Sequence, residues 1–205
     1  KSDGIRYRLV GNLEPEFKPG TDLTKPIYVS MYGEWTKKDG LARLGRQSTN
    51  NLLLGEKRKT VQEYIVTVLL WGDAAYGVPQ KARKADVFVY TKQTAVEYPD
   101  YYTTDATFKD AKKITDINPQ QKDYKWTAGT KLVEYKGVGG KKLQGALFLP
   151  ADYEPGKKYP MIVYIYEKLS QGIHRYQPPS LSAVGSIYTS NGYAVLMPDI
   201  TYRLN

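Results

Sequence analysis

Two runs in the last quarter of the chain are apolar at nearly every position: Met161 to Tyr166 and Tyr193 to Met197. Strands buried on both faces read this way, and such strands belong to parallel sheets covered by helices. Between them, Ser180 is a candidate N-cap, and Leu181, Val184, Ile187 and Tyr188 are spaced for one face of a helix. Asn191-Gly192 reads as the helix stop. Strand, helix, strand predicts a right-handed crossover joining two parallel strands. That requirement limits the fold more than anything else in the sequence, because a purely antiparallel meander cannot satisfy it.

The first 130 residues read differently. Short strand-like runs are separated by Gly, Pro, Asp and Lys turns: Ile5 to Val10, Pro26 to Tyr32, Leu41 to Leu44, Leu52 to Leu54, Tyr64 to Trp71, Asp86 to Thr91, Tyr101 to Thr104 and Lys113 to Thr115. Lys37-Lys38-Asp39-Gly40 predicts a tight hairpin turn through its Asp-Gly pair. The unit from Ala85 to Asn118 reads as a β-propeller blade: a strand, a second strand ending at Thr104-Asp105, a polar turn and a short return strand. Residues 26 to 54 echo it. A β-sandwich would also give short strands at regular spacing. A polar stretch from Asn118 to Lys131 marks a boundary. Beyond it a hairpin is predicted, Leu132 to Lys136 and Leu143 to Leu149, turning at Gly139-Gly140, where glycine permits positive φ.

Composition narrows the chemistry. The 205 residues contain 19 Tyr and 4 Phe, and Tyr suits half-buried strand faces with one dry and one wet end. The absence of Cys excludes disulfides, thiolate metal sites and a cysteine nucleophile, and a single His makes a zinc site an unpromising reading. No phosphate-cradling loop is present, and no cofactor is implied. The net charge of +9 would fit a nucleic-acid surface only if basic residues shared one face. Instead Lys57-Arg58-Lys59, Lys81 to Lys84, Lys112-Lys113 and Lys141-Lys142 are spread over apparent turns, so no nucleic-acid partner is expected. The longest apolar runs are too short to span a bilayer.

Three stretches together resemble the prolyl oligopeptidase family of serine peptidases, in particular its dipeptidyl-peptidase and acylaminoacyl-peptidase-like members. They are Leu143 to Pro150, Lys157-Lys158-Tyr159-Pro160 running into Met161 to Tyr166, and Asn191-Gly192-Tyr193 running through Met197-Pro198-Asp199. Ala85 to Gln121 is similar to that family's last propeller blade. The resemblance implies a fold that is mainly β and then α/β: partial β-propeller blades over 1–130, followed over 131–205 by the first strands of an incomplete α/β-hydrolase (peptidase) domain. It implies a serine peptidase that hydrolyses short peptides through an acyl-enzyme, with a peptide substrate as its partner, and it tilts towards a periplasmic or secreted location.

The family's most specific motif, Gly-x-Ser-x-Gly, does not occur in these 205 residues. The resemblance places Ser, Asp and His beyond Asn205, so the chain by itself is expected to be inactive. His174 precedes the position of the Ser and is not the family's base. Ser170, Ser180, Ser182 and Ser186 sit in no elbow, and Asp199 is expected to be structural. One role carries over. Tyr166 stands where the family has a Tyr whose hydroxyl donates to the oxyanion. The sequence after it, Glu167-Lys168-Leu169-Ser170, departs from the family's Gly-rich pattern. Two other readings stay open: a non-catalytic β-rich binding or scaffold protein of the same shape, and, on charge alone, a nucleic-acid-binding β module. Partial sheets leave edges and apolar faces open, so the remainder of the polypeptide or a second copy is expected to cover them.

Overall fold

The computed structural model describes residues 4–13, 20–54, 57–179 and 185–201, with side chains described outside 46–64. Among the described residues the chain is mainly β, with three sheets and a single turn of α-helix. It forms two compact units. One comprises Lys1–Thr91 and Tyr101–Ile114, the other Lys92–Asp100 and Thr115–Asn205.

In the first unit, β1 (Ile5–Gly11), β2 (Ile27–Gly33), β3 (Asp39–Leu54) and β4 (Lys57–Gly72) form an antiparallel meander in chain order. β2 lies between β1 and β3 and buries Tyr28, Val29 and Met31. The two Leu-rich runs expected as separate strands are one 16-residue strand, β3, because β4 supplies a partner along nearly its whole length. Past the Ile27–Leu44 pair, β3 and β4 continue as a two-stranded ribbon.

The β2–β3 turn lies at Glu34 to Lys37, several residues earlier than Asp39-Gly40 suggests. Gly33 N–H donates to the Lys38 carbonyl at 2.8 Å, and Lys37 takes the positive φ of 60°. Lys37 Nζ donates to the Glu34 carbonyl at 2.6 Å, which ties that turn. Gly40 already lies in β3, where a Cβ would collide with the Leu70 carbonyl of β4. Its glycine serves a close approach of strands and not the turn.

The second sheet of this unit contains β5 (Ala75–Tyr76), β6 (Gln80–Lys81), β7 (Phe88–Gln93), β8 (Asp100–Thr104) and β9 (Lys112–Lys113). Its order is β5-β7-β8-β9, with β6 also on β7. Leu13, Tyr28, Leu41 and Leu70 meet Phe88, Tyr90 and Phe108 in one core. Phe88 and Phe108 centroids are 5.3 Å apart, and Tyr90 stacks on Tyr102 at 5.7 Å. Burial, with Tyr76 and Tyr102 nearby, pushes the Tyr90 phenol up to about 12, so it stays a neutral core group. After β8, Asp105 accepts from the Thr107 hydroxyl at 2.6 Å and the Thr107 N–H at 2.8 Å. These bonds hold its carboxyl below the usual range and shape the turn. Phe108 follows at φ 58°, a conformation that costs a non-glycine about 1–2 kcal/mol. Burying its ring to 5% exposure offsets this, at about 1.5–3 kcal/mol.

In the second unit, β10 (Thr130–Lys136), β11 (Lys142–Phe148), β12 (Met161–Val163) and β13 (Ala194–Pro198) form a mixed sheet of order β10-β11-β13-β12. β10–β11 and β11–β13 are antiparallel, and β12–β13 is parallel, as the crossover pattern predicts. Gly139 and Gly140 do adopt positive φ, 74° and 75°, but within a turn longer than two residues. The crossover helix α1 (Ser186–Thr189) is short, and Ser180, Leu181, Ser182 and Val184, expected on or beside it, lie outside the described residues. Its stop is as predicted: Asn191 Nδ2 donates to the Ile187 carbonyl at 2.7 Å, and Gly192 has φ 85°.

The core joins Ala146, Phe148, Val195, Met197 and Ile173, with Ile162 and Tyr164 against it. Only one face of β12 packs here. Met161 and Val163 remain 49% and 46% exposed. Asp100 is 4% exposed and its Oδ1 accepts from the Thr115 hydroxyl at 2.8 Å and from the Ile117 N–H at 2.9 Å. Asp100→Ala strands both donors and is expected to destabilise the fold by about 1–3 kcal/mol, measurable by denaturant unfolding. An unchanged midpoint would show that water replaces the carboxylate.

Candidate active site

β12 and β13 run parallel, so their carboxyl ends lie side by side. Tyr166 leaves that end of β12. The ladder continues past Val163 through the Tyr164 N–H, which donates to the Leu196 carbonyl at 2.9 Å. Two residues later the chain bends away. Tyr166 is 63% exposed, and among the described residues its hydroxyl has no hydrogen-bond partner. It therefore stands at a sheet end with a donor available.

The loop that follows is fixed to the neighbouring strand. The Ile200 N–H donates to the Glu167 carbonyl at 2.9 Å. Asp199 grips Ser170 with both carboxylate oxygens: Oδ1 accepts the backbone N–H at 2.9 Å and Oδ2 accepts the hydroxyl at 2.7 Å. Asp199 is itself fixed, its N–H donating to the Gln144 carbonyl at 2.8 Å and its carbonyl accepting from the Tyr135 hydroxyl. Burial first, and the Asp199 charge second, raise the Tyr135 phenol above its ordinary pKa, which keeps it a donor. Ser170 is 1% exposed and committed to this contact, so it does not offer a nucleophile. The Ser170–Asp199 pair was not legible in the sequence, since 29 positions separate two residues that belong to no common motif.

The other candidates are elsewhere. His174 is half-buried in the segment between β12 and α1, beside the buried Ile173. Ser186 is buried at the start of α1. Among the described residues no cluster of three or more His, Cys, Asp or Glu could hold a metal ion.

The same unit carries an aromatic cleft of about 1040 Å³. Trp126 stacks on Tyr176 with centroids 5.3 Å apart and planes 8° apart, and Tyr98 meets Tyr176 edge-on at 5.1 Å. Asn118 Nδ2 donates to the Tyr176 hydroxyl at 3.3 Å.

No family model matches the sequence, and no curated protein matches it. Solved structures do match. Dipeptidyl peptidase 4 of Porphyromonas gingivalis superposes with a TM-score of 0.56 at 13% identity, over 97% of this chain and 25% of that one. A post-proline cleaving enzyme from Rickettsia typhi gives 0.52 at 10% identity, over 97% and 25%. A variant of the AtxE2 isopeptidase gives 0.51 at 17% identity, over 90% and 25%. The chain therefore shares a fold with a section of known peptidases, and it spans about a quarter of the length of each. At such identities the likeness concerns the fold.

Proposed function

We propose that this chain is a section of a serine-type peptidase that cleaves short peptides through an acyl-enzyme. Residues 1–130 are read as the last part of a β-propeller, and 131–205 as the beginning of an α/β-hydrolase domain. The observation that carries the reading is Tyr166, exposed at the carboxyl end of the parallel strand pair, with no partner for its hydroxyl among the described residues. The peptidase neighbours support it at the level of fold.

Attack on a peptide carbonyl builds negative charge on its oxygen. A fixed O–H aimed at that oxygen stabilises the transition state more than the ground state, and so raises the rate. Tyr166 supplies the O–H. The nucleophile, its base and the orienting acid come from sequence outside these 205 residues, which contain no Gly-x-Ser-x-Gly. The same remainder covers the apolar face of β12 marked by Met161 and Val163.

The purified 205-residue chain is accordingly expected to show no turnover of a chromogenic dipeptide, whereas the full-length polypeptide turns it over and is labelled by a serine-directed phosphonate. Turnover by the short chain would refute the assignment of roles. The aromatic cleft favours a second reading, a non-catalytic binding module of the same shape. A full-length polypeptide that folds but neither reacts with the phosphonate nor cleaves dipeptides would support that reading instead.

A further inference from the structure

We infer that Asp199 is a positioning residue for Tyr166, acting through the loop that Tyr166 opens. The inference rests on the oxyanion role proposed for Tyr166.

Tyr166 has no hydrogen bond of its own among the described residues, and more than half of its surface is open. Its location must then be set by the backbone on either side. On the N-terminal side the anchor is the Tyr164 N–H on the Leu196 carbonyl. On the C-terminal side there are two anchors, both at the end of β13. One is the Ile200 N–H on the Glu167 carbonyl, and the other is the two-oxygen grip of Asp199 on Ser170. The carboxylate accepts two bonds from one residue, which fixes both the place and the rotation of the Ser170 backbone. Asp199 in turn is held by Gln144 of β11 and Tyr135 of β10. The loop is thus referenced to three neighbouring strands rather than to one. Glu167-Lys168-Leu169-Ser170 contains no glycine, and a side-chain bond from Asp199 fixes its last residue. Charge-stabilising donors lose most of their effect when displaced by about an ångström, so a loosened loop is felt in the rate.

The test is a double-mutant cycle in the full-length polypeptide, with a chromogenic dipeptide as the substrate. Four proteins are compared: wild type, Tyr166→Phe, Asp199→Ala and the double variant. Asp199→Ala, which removes both bonds to Ser170, is expected to lower kcat on the order of 10- to 100-fold with KM nearly unchanged. In the Tyr166→Phe background the same change is expected to cost less than about twofold, because the group it positions is gone. Equal losses in both backgrounds, or no loss in the wild type, would overturn the inference. Tyr166→Phe alone reports on the oxyanion role: wild-type kcat in that variant removes that role, whatever Asp199 does. If Asp199→Ala does not fold, Ser170→Ala carries the cycle. It deletes the 2.7 Å hydroxyl contact and leaves the backbone bond, so a smaller loss with the same dependence on Tyr166 is expected. A loss independent of Tyr166 counts against the inference.

Discussion

Tyr166→Phe in the full-length polypeptide is expected to lower kcat by about 100- to 1000-fold, with little change in KM. The substitution deletes one oxygen. That oxygen is in solvent and has no partner among the described residues, so the folded state loses nothing, and the thermal midpoint is expected to stay where it was. The loss appears only when charge develops on the substrate carbonyl, and it corresponds to about 3–4 kcal/mol of barrier. A variant that keeps its kcat would remove Tyr166 from the chemistry. A rise in KM with kcat intact would instead make it a substrate-binding residue that treats ground and transition states alike.

The largest stability effect is expected at Phe88. Its ring is 1% exposed and lies among Tyr28, Tyr90 and Phe108, with Tyr28 at 6.4 Å, Phe108 at 5.3 Å between centroids. Phe88→Ala removes the ring from the meeting point of two sheets, which cannot close over the space without separating their strands. The expected cost is about 3–5 kcal/mol, read as a shift in the denaturation midpoint. The effect should exceed that of Asp100→Ala. A shift under about 1 kcal/mol would mean that the surrounding aromatics collapse into the gap.

The sequence conveyed element identity well where burial sets a pattern. The strands at Ile5, Ile27, Phe88, Asp100, Thr130 and Ala194 all occur, because their alternation or continuity reflects neighbours on one face or both. It conveyed less where a partner strand decides. The runs Leu41 to Leu44 and Leu52 to Leu54 join into the single strand β3 because β4 lies alongside, with a register shift between Thr49 and Leu52. Lys37 takes a positive φ that local preference assigns to glycine, because the Glu34 carbonyl binds its ammonium. At the candidate site, Tyr166 was singled out only through the family resemblance of the strand it follows, and its role is the proposal made above. The grip of Asp199 on Ser170 was not legible, since it depends on two loops that meet only after β12 and β13 have paired.

The division of the chain into units has a consequence for dissecting the protein. The polypeptide passes from one unit to the other three times, after Thr91, after Asp100 and after Ile114. No single cut between residues therefore yields two intact halves. A truncation beginning at Thr115 would discard Lys92–Asp100, and with it Ala95 from the core of the unit that remains. It would also discard the Gln93 side chain that accepts the Tyr176 N–H, and the Val96 carbonyl that accepts from Gln121. The nine-residue excursion works as an internal splint supplied by a distant part of the chain. Boundaries for expression, or for exchanging modules between related proteins, have to carry that splint along with the unit it completes.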